Sequence, residues 1–212
     1  MDKVLACITT RDGNPPLKVV AMVEDACREL AKAGIPAAVS VPQDRYSVAC
    51  CRNRAVNDAI RGGFTHIFFC DDDVYIEPDT LVKLWGMQKD VAGGVYPSIK
   101  TMYPGDLKLL HTYVVAKYEG QWLRKFFKGI RRVDAVGAGS LMIRTSVFDK
   151  VGFPWFRWPE VILPDGRHER VSDDLDFCNR CAMAGVEVWA HGDVRPGHVK
   201  PVDIRNFVGE EE

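Results

Sequence analysis

The sequence predicts an α/β fold in a single domain, with a mostly parallel central sheet flanked by helices. Three observations carry that prediction. Short apolar runs alternate with stretches of helical periodicity, and glycine and proline punctuate the joins between them. One apolar run, IFFC, then drives straight into three carboxylates at residues 71–73, the place where a strand would leave a sheet. At 212 residues and 47% hydrophobic composition, the chain has enough apolar material for one sizeable core.

The elements follow in order. Val4 to Thr9 is a short apolar run ending in the polar loop TTRDGNPP, as a buried first strand should. From Leu17 to Ala33, Val20, Val23, Ala26, Cys27, Leu30 and Ala31 recur at helical spacing, and Gly34 supplies the stop. Ala37 to Val41 reads as a second strand. Ser47 to Ile60, SVACCRNRAVNDAI, is helical again and closes at Gly62-Gly63; His66 to Cys70 is then a third, fully buried strand. Beyond the carboxylates, Glu77-Pro78-Asp79-Thr80 makes a turn and cap for a short helix that turns Leu81, Leu84 and Trp85 to the core. VAGGVYP, residues 91 to 97, reads as a further strand whose glycines admit a close neighbour.

Charge and cysteines narrow the setting. With 28 basic and 29 acidic residues the net charge is −1, which excludes a general attraction for nucleic acid or anionic membrane and leaves only local patches. One such patch is RKFFKGIRR, residues 124 to 132, with five basic and two aromatic residues; it is a solvated loop or a site for phosphate or nucleic acid. No basic stretch followed by a long apolar one opens the chain, and nowhere do about 18 apolar residues run together. A soluble, cytoplasmic protein without a transmembrane segment is expected. Seven cysteines, two of them adjacent at Cys50 and Cys51, suit free thiols in a reducing compartment. Cys178 and Cys181 read as one face of a helix, since no second pair stands at zinc-site spacing.

Three adjacent carboxylates repel one another, and a bound divalent cation relieves that repulsion well. Hard oxygen ligands suit magnesium or manganese, which take one or two protein carboxylates and complete their shell with water and phosphate. A solvated acidic turn is the competing reading. An EF-hand is excluded, because the later alternating oxygen ligands, central glycine and terminal glutamate are missing.

The apolar strand, DDD, the proline-started helix and GGVYP together resemble the nucleotide-sugar domain of GT-A fold glycosyltransferases, especially family 2-like enzymes. VDAVGAGSLMI, residues 133 to 143, resembles the family's glycine-containing strand beneath the donor sugar, with Gly139 in it, and RTSVFDKVGFPWF continues the likeness. VSDDLDFCNRCAMAGVEVWAHGDVRPGH then resembles the family's acidic pair, a following strand and a metal-binding histidine. The likeness runs from about Val4 to His198. It implies a GT-A domain over residues 1–200, with a nucleotide-binding half (1–100), an acceptor and catalytic half (101–200) and a tail (201–212).

The resemblance also implies roles. Asp71, Asp73 and His198 would hold manganese or magnesium, with Asp71 either behind the metal ligands or on the ribose, and Asp72 would lie by the donor. Asp174 matches the acidic base, and Asp173 stands where the family usually has glutamate and would meet the acceptor. Asp176 would cap or orient a helix beginning near Leu175. Thr9, Thr10 and Arg11 would meet base and ribose. Arg52 and Asn53 resemble an arginine–asparagine pair near the nucleotide, though a solvated helix face accounts for them equally. Trp155 and Phe156, with Trp158, are either core or a platform for the acceptor. Alone, the SDD cluster reads as a helix start enriched in acids, and His198 as a turn residue.

The implied activity is transfer of a sugar from a nucleotide-sugar, a UDP-sugar being favoured, to an acceptor hydroxyl with inversion. The acceptor is a glycan, a protein, or a hydroxylated DNA base, since small enzymes of this kind also resemble virus-encoded glycosyltransferases acting on DNA. A retaining outcome stays open. The alternative is a nucleotidyltransferase or metal-nucleotide-binding protein on a similar sheet, which would want a glycine-rich basic loop after the first strand; TTRDGNPP has one glycine and one arginine.

Overall fold

A computed structural model describes residues 1–42, 47–101, 110–162 and 165–200. The first half alternates as its pattern predicts: β1 (Val4–Thr9), α1 (Leu17–Lys32), β2 (Ala37–Ser40), α2 (Val48–Arg61) and β3 (His66–Asp71). Then come β4 (Val74–Tyr75), α3 (Thr80–Gly86), β5 (Val91–Gly94), β6 (Pro97–Thr101), β7 (Leu110–Tyr118) and β8 (Gln121–Leu123). The second half holds β9 (Ile130–Val133), β10 (Ala135–Val136), β11 (Ser140–Arg144), α4 (Val147–Val151), β12 (Glu160–Ile162), β13 (His168–Arg170), α5 (Asp173–Met183), β14 (Val188–His191) and β15 (Gly197–His198).

The central sheet has seven strands in the order β2-β1-β3-β11-β5-β14-β9. β11 runs against both of its neighbours and β9 against β14, while the others share one direction, so the sheet is mostly parallel. Because strand side chains alternate, each strand feeds both faces. Leu5, Cys7, Ile67, Phe69, Leu141 and Ile143 pack toward α2, α4 and α5. Val4, Ala6, Ile8, Phe68 and Met142 pack toward α1 and α3. The result is a three-layer sandwich whose strands β1, β3 and β5 end along one common edge.

The helices show why they start and stop. Ser47 accepts the Cys50 N–H at 3.1 Å and caps α2. Gly34 takes φ +86° just past α1, a conformation that suits glycine. Cys178 and Cys181 both lie on the buried side of α5, and all seven cysteines are free, with Cys50 alone exposed. Among the described residues no helix is long and apolar enough to cross a membrane.

Three boundaries differ from the sequence prediction. Residues 133 to 143 are not one strand: β9, β10 and β11 lie in three positions, divided by a turn at Gly137–Gly139. A Cβ at Gly137 would lie 2.3 Å from the Tyr96 hydroxyl, so the turn presses directly on that ring. The stretch 91 to 97 likewise breaks after Gly94, and Pro97 opens β6 in a second small sheet with β7 and β10. α5 begins at Asp173, ahead of Leu175, so both acids of the SDD cluster sit in its first turn. The tail from Pro201 lies outside the described residues.

Candidate active site

β1 and β3 lie side by side with Thr9 opposite Asp71. The Thr9 hydroxyl bonds to Asp71 Oδ1 at 2.8 Å, and the Asp72 N–H returns to the Thr9 carbonyl at 3.1 Å, closing the acidic turn onto the neighbouring strand end. Burial raises the Asp72 carboxyl above its ordinary value, the Thr10 hydroxyl opposes this, and Asp73 and Asp71 add to it.

The turn is gripped from the far end of the chain. β15 pairs antiparallel with β4, placing His198 opposite Val74, and the Val199 N–H bonds to the Asp73 carbonyl at 2.8 Å. His198 Nδ1 lies 2.9 Å from the Pro97 carbonyl, which can only accept, so Nδ1 donates there and Nε2 is the nitrogen turned toward the site. That Nε2 is 3.3 Å from Asp73 Oδ2, and Lys200 Nζ is 2.5 Å from the same oxygen. Burial alone would raise Asp73, but the hydrogen bonds from His198 and Lys200 outweigh it and hold the carboxyl at about 2.

Arg52 joins this turn to α5. It belongs to the buried stripe of α2, 3% exposed, and donates through Nη1 to Asp173 Oδ2 and through Nη2 to Asp71 Oδ1, each at 2.6 Å. Burial works against its charge, yet Asp71, Asp173 and Asp174 outweigh burial and keep the guanidinium a cation. Asp173 is 2% exposed; burial pushes its carboxyl up against the opposing pull of Arg52, and Asp174 pushes the same way as burial. Asp174 is held differently. Its Oδ1 accepts the Ser172 hydroxyl at 2.5 Å and the Leu175 N–H at 2.8 Å, while Oδ2 has only a longer bond of 3.3 Å from the Ala138 N–H.

These groups open into one cavity of about 250 Å³. Of the residues proposed from sequence, Thr9, Thr10, Arg11, Arg52, Asp71, Asp72, Asp73, Asp173, Asp174 and His198 line it. Gly139 lies beneath, where a Cβ would come 2.7 Å from the Tyr96 hydroxyl and 3.1 Å from Asp71 Oδ2. Asn53 is not in the cavity. Its amide donates to the Phe156 carbonyl at 2.7 Å and accepts the Phe156 N–H at 3.0 Å, so both ends are spent on the 153–158 loop. Trp155 and Phe156, offered as an acceptor platform, are core residues, 9% and 1% exposed, with Phe156 between Phe69 and Phe177. Asp176 does not cap its helix; it pairs with Arg157 at 2.9 Å.

Tyr96, Ser172 and Lys200 line the cavity without having been singled out from sequence, and of the three aromatics offered as a platform Trp158 is the one that lines it. Lys200 was findable, since two residues after His198 on an extended segment returns to the same side. Tyr96 carried no signal, because its hydroxyl matters only through the Gly139 N–H that donates to it at 3.1 Å.

Asp73 and His198 present one oxygen and one nitrogen to the same point, and the Lys200 ammonium on that oxygen shows that the point favours positive charge. Such a pair fits manganese or magnesium when water and phosphate complete the shell. Thr9 and Arg52 hold Asp71 Oδ1, so Asp71 stands beside this pair, and among the described residues no group of three potential ligands converges.

No family model matches the chain, and no curated protein matches it in sequence. Solved structures do match in shape. A197 from STIV superposes with a TM-score of 0.57 at 18% identity, over 95% of this chain and 87% of that one. GalNAc-T7, solved with UDP, GalNAc and manganese, gives 0.57 at 11% identity over 95% of this chain and 44% of its own. A mutant of Drosophila beta-1,4-galactosyltransferase 7, solved with manganese, UDP-Gal and xylobiose, gives 0.55 at 14% identity, over 95% of this chain and 72% of that one. The fold is the GT-A fold of glycosyltransferases. At these identities the likeness is one of fold.

Proposed function

We propose that this chain is a metal-dependent glycosyltransferase that moves a sugar from a nucleotide-sugar donor, a UDP-sugar first, to an acceptor hydroxyl with inversion. One observation carries the reading: the Asp73–His198 pair and the Asp174 carboxylate, far apart in sequence, open into the same cavity with Arg52 buried between them. Thr9, Thr10 and Arg11, at the end of β1, line the side where base and ribose would lie. Asp73 and His198 would hold manganese or magnesium, which neutralises the leaving diphosphate. Lys200, released from Asp73, adds a positive charge to the same phosphates.

Asp174 is the base. Ser172 and the Leu175 N–H pin Oδ1, and Oδ2, weakly engaged, is the oxygen free to take the acceptor proton. Asp173 is buried on Arg52 and acts by positioning rather than by touching the acceptor. The solved neighbours with UDP, UDP-Gal and manganese support the donor class. The alternative, nucleotidyl transfer, finds no favouring feature in the loop after β1. The test is calorimetric titration with UDP, GDP and the other nucleoside diphosphates, with and without manganese, repeated on Asp73→Ala. Manganese-dependent binding of one diphosphate, lost in the variant, is expected; no binding to any of them refutes the reading.

A further inference from the structure

We propose that the segment from Arg124 to Arg132, flanked by Tyr118 and Arg195, is a docking surface for single-stranded nucleic acid. With a net charge of −1 the chain has no general attraction for a polyanion, so binding needs a local cause. β9 ends the central sheet, with β14 on one side, and Ile130, Arg131 and Arg132 are exposed. Three nearby acids are engaged. Asp193 accepts the Gly129 N–H at 2.7 Å and lies 4.0 Å from Arg195, Asp134 accepts the Gly120 N–H at 2.6 Å, and Glu187 pairs with Arg132 at 3.1 Å. Among the described residues Arg124, Lys125, Lys128 and Arg131 have no carboxylate partner.

Rings alternate with the cations. The Arg131 guanidinium lies 4.7 Å from the Phe127 ring and 5.6 Å from Tyr118, and that of Arg195 lies 5.1 Å from Phe126. Phe126 and Tyr118 are each 41% exposed. Cations alone would suit any polyanion; rings and planar guanidinium groups between them add stacking faces for bases. An inorganic polyphosphate has no use for those faces.

The surface is built rather than loose. Arg195 donates to the Gly192 carbonyl at 2.6 Å and the Phe127 carbonyl at 2.9 Å, and the Gly192 N–H bonds to the Gly129 carbonyl at 2.7 Å. A Cβ at Gly192 would lie 2.3 Å from the Phe127 carbonyl oxygen, so only glycine lets the loop seat. Ile130 stands opposite His191, at the carboxyl end of β14, which is the edge of the sheet on which the cavity opens. The inference concerns binding and stands apart from the transfer reading.

The test is fluorescence anisotropy of a labelled oligothymidine of about 12 nucleotides on the full chain across a salt series. The affinity should fall linearly on a log–log plot, and Lys125→Ala with Lys128→Ala should reduce the slope by about 1.4. Phe126→Ala should weaken binding about 5- to 150-fold without changing the slope, which is the signature of stacking. All three side chains are exposed, so thermal melts of the variants should match the parent. No binding at low salt, or an unchanged slope in the double variant, overturns the proposal. So does equal competition by polyphosphate or anionic phosphatidylserine vesicles together with a neutral Phe126→Ala, which would mark a generic polyanion or membrane surface.

Discussion

Arg52→Met removes the one cation between two carboxylates while keeping a stem of similar length in the α2 stripe. The two carboxylates differ in what they can do next. Asp71 has a side chain 28% exposed and can be rehydrated, whereas that of Asp173 is 3% exposed and cannot. Removing one partner of a buried pair costs about 3–5 kcal/mol, and here that cost falls mainly on Asp173. An unpaired buried carboxylate escapes the cost by binding a proton. Its folded pKa then lies above its unfolded value, so the folded state holds more protons and stability falls as pH rises through that window. The deficit of Arg52→Met against the parent should therefore grow by up to about 1.4 kcal/mol per pH unit between pH 5 and pH 7. Urea unfolding followed by tryptophan fluorescence reads it, and Asp173→Asn in the same background should remove most of the pH dependence. A loss below about 1 kcal/mol, or an equal loss at both pH values, would refute the assignment of Asp173 as the buried charge that Arg52 serves.

Three further outcomes are expected. Asp174→Asn should lower transfer by about 10²–10⁴ while leaving nucleoside diphosphate affinity unchanged; a parallel loss of affinity would make Asp174 a donor ligand. Asp73, held at about 2 against an ordinary 3.8, contributes stability that is complete above 3.8 and is lost as pH falls through 2. The full shift corresponds to about 2.4 kcal/mol, and with the side chain 35% exposed, screening brings it to about 1 kcal/mol. Asp73→Asn should thus melt earlier at pH 7 and match the parent near pH 2; identical melts at pH 7 would show that His198 and Lys200 do not stabilise it. Gly139→Ala would place a Cβ 2.7 Å from the Tyr96 hydroxyl and 2.9 Å from Val74, costing about 1–3 kcal/mol and displacing Asp71. An unchanged urea midpoint would mean that the turn has room that its geometry denies.

The α/β character was legible because strand and helix periods are local: β1, α1, β2, α2 and β3 follow from apolar spacing and from glycine stops within a few residues of each join. The carboxylates at 71–73 were legible for the same reason, since a strand end is marked by the residues next to it. Asn53 was not, because helix neighbours point about 100° apart, so Arg52 reaches the site while Asn53 reaches the Phe156 backbone. FPWF was ambiguous in principle, since aromatic side chains suit a core and a sugar platform equally; packing of Phe156 between Phe69 and Phe177 decided for the core.

By itself, then, the sequence determined where strands end and where charge gathers, which depend on nearest neighbours along the chain. Which charges meet was decided only by the tertiary structure. β11 enters antiparallel between β3 and β5 and carries the Gly139 turn over Asp71, and α5 brings Asp173 onto Arg52 across 121 residues. Contacts at that separation depend on strand order and register, and no local pattern encodes either.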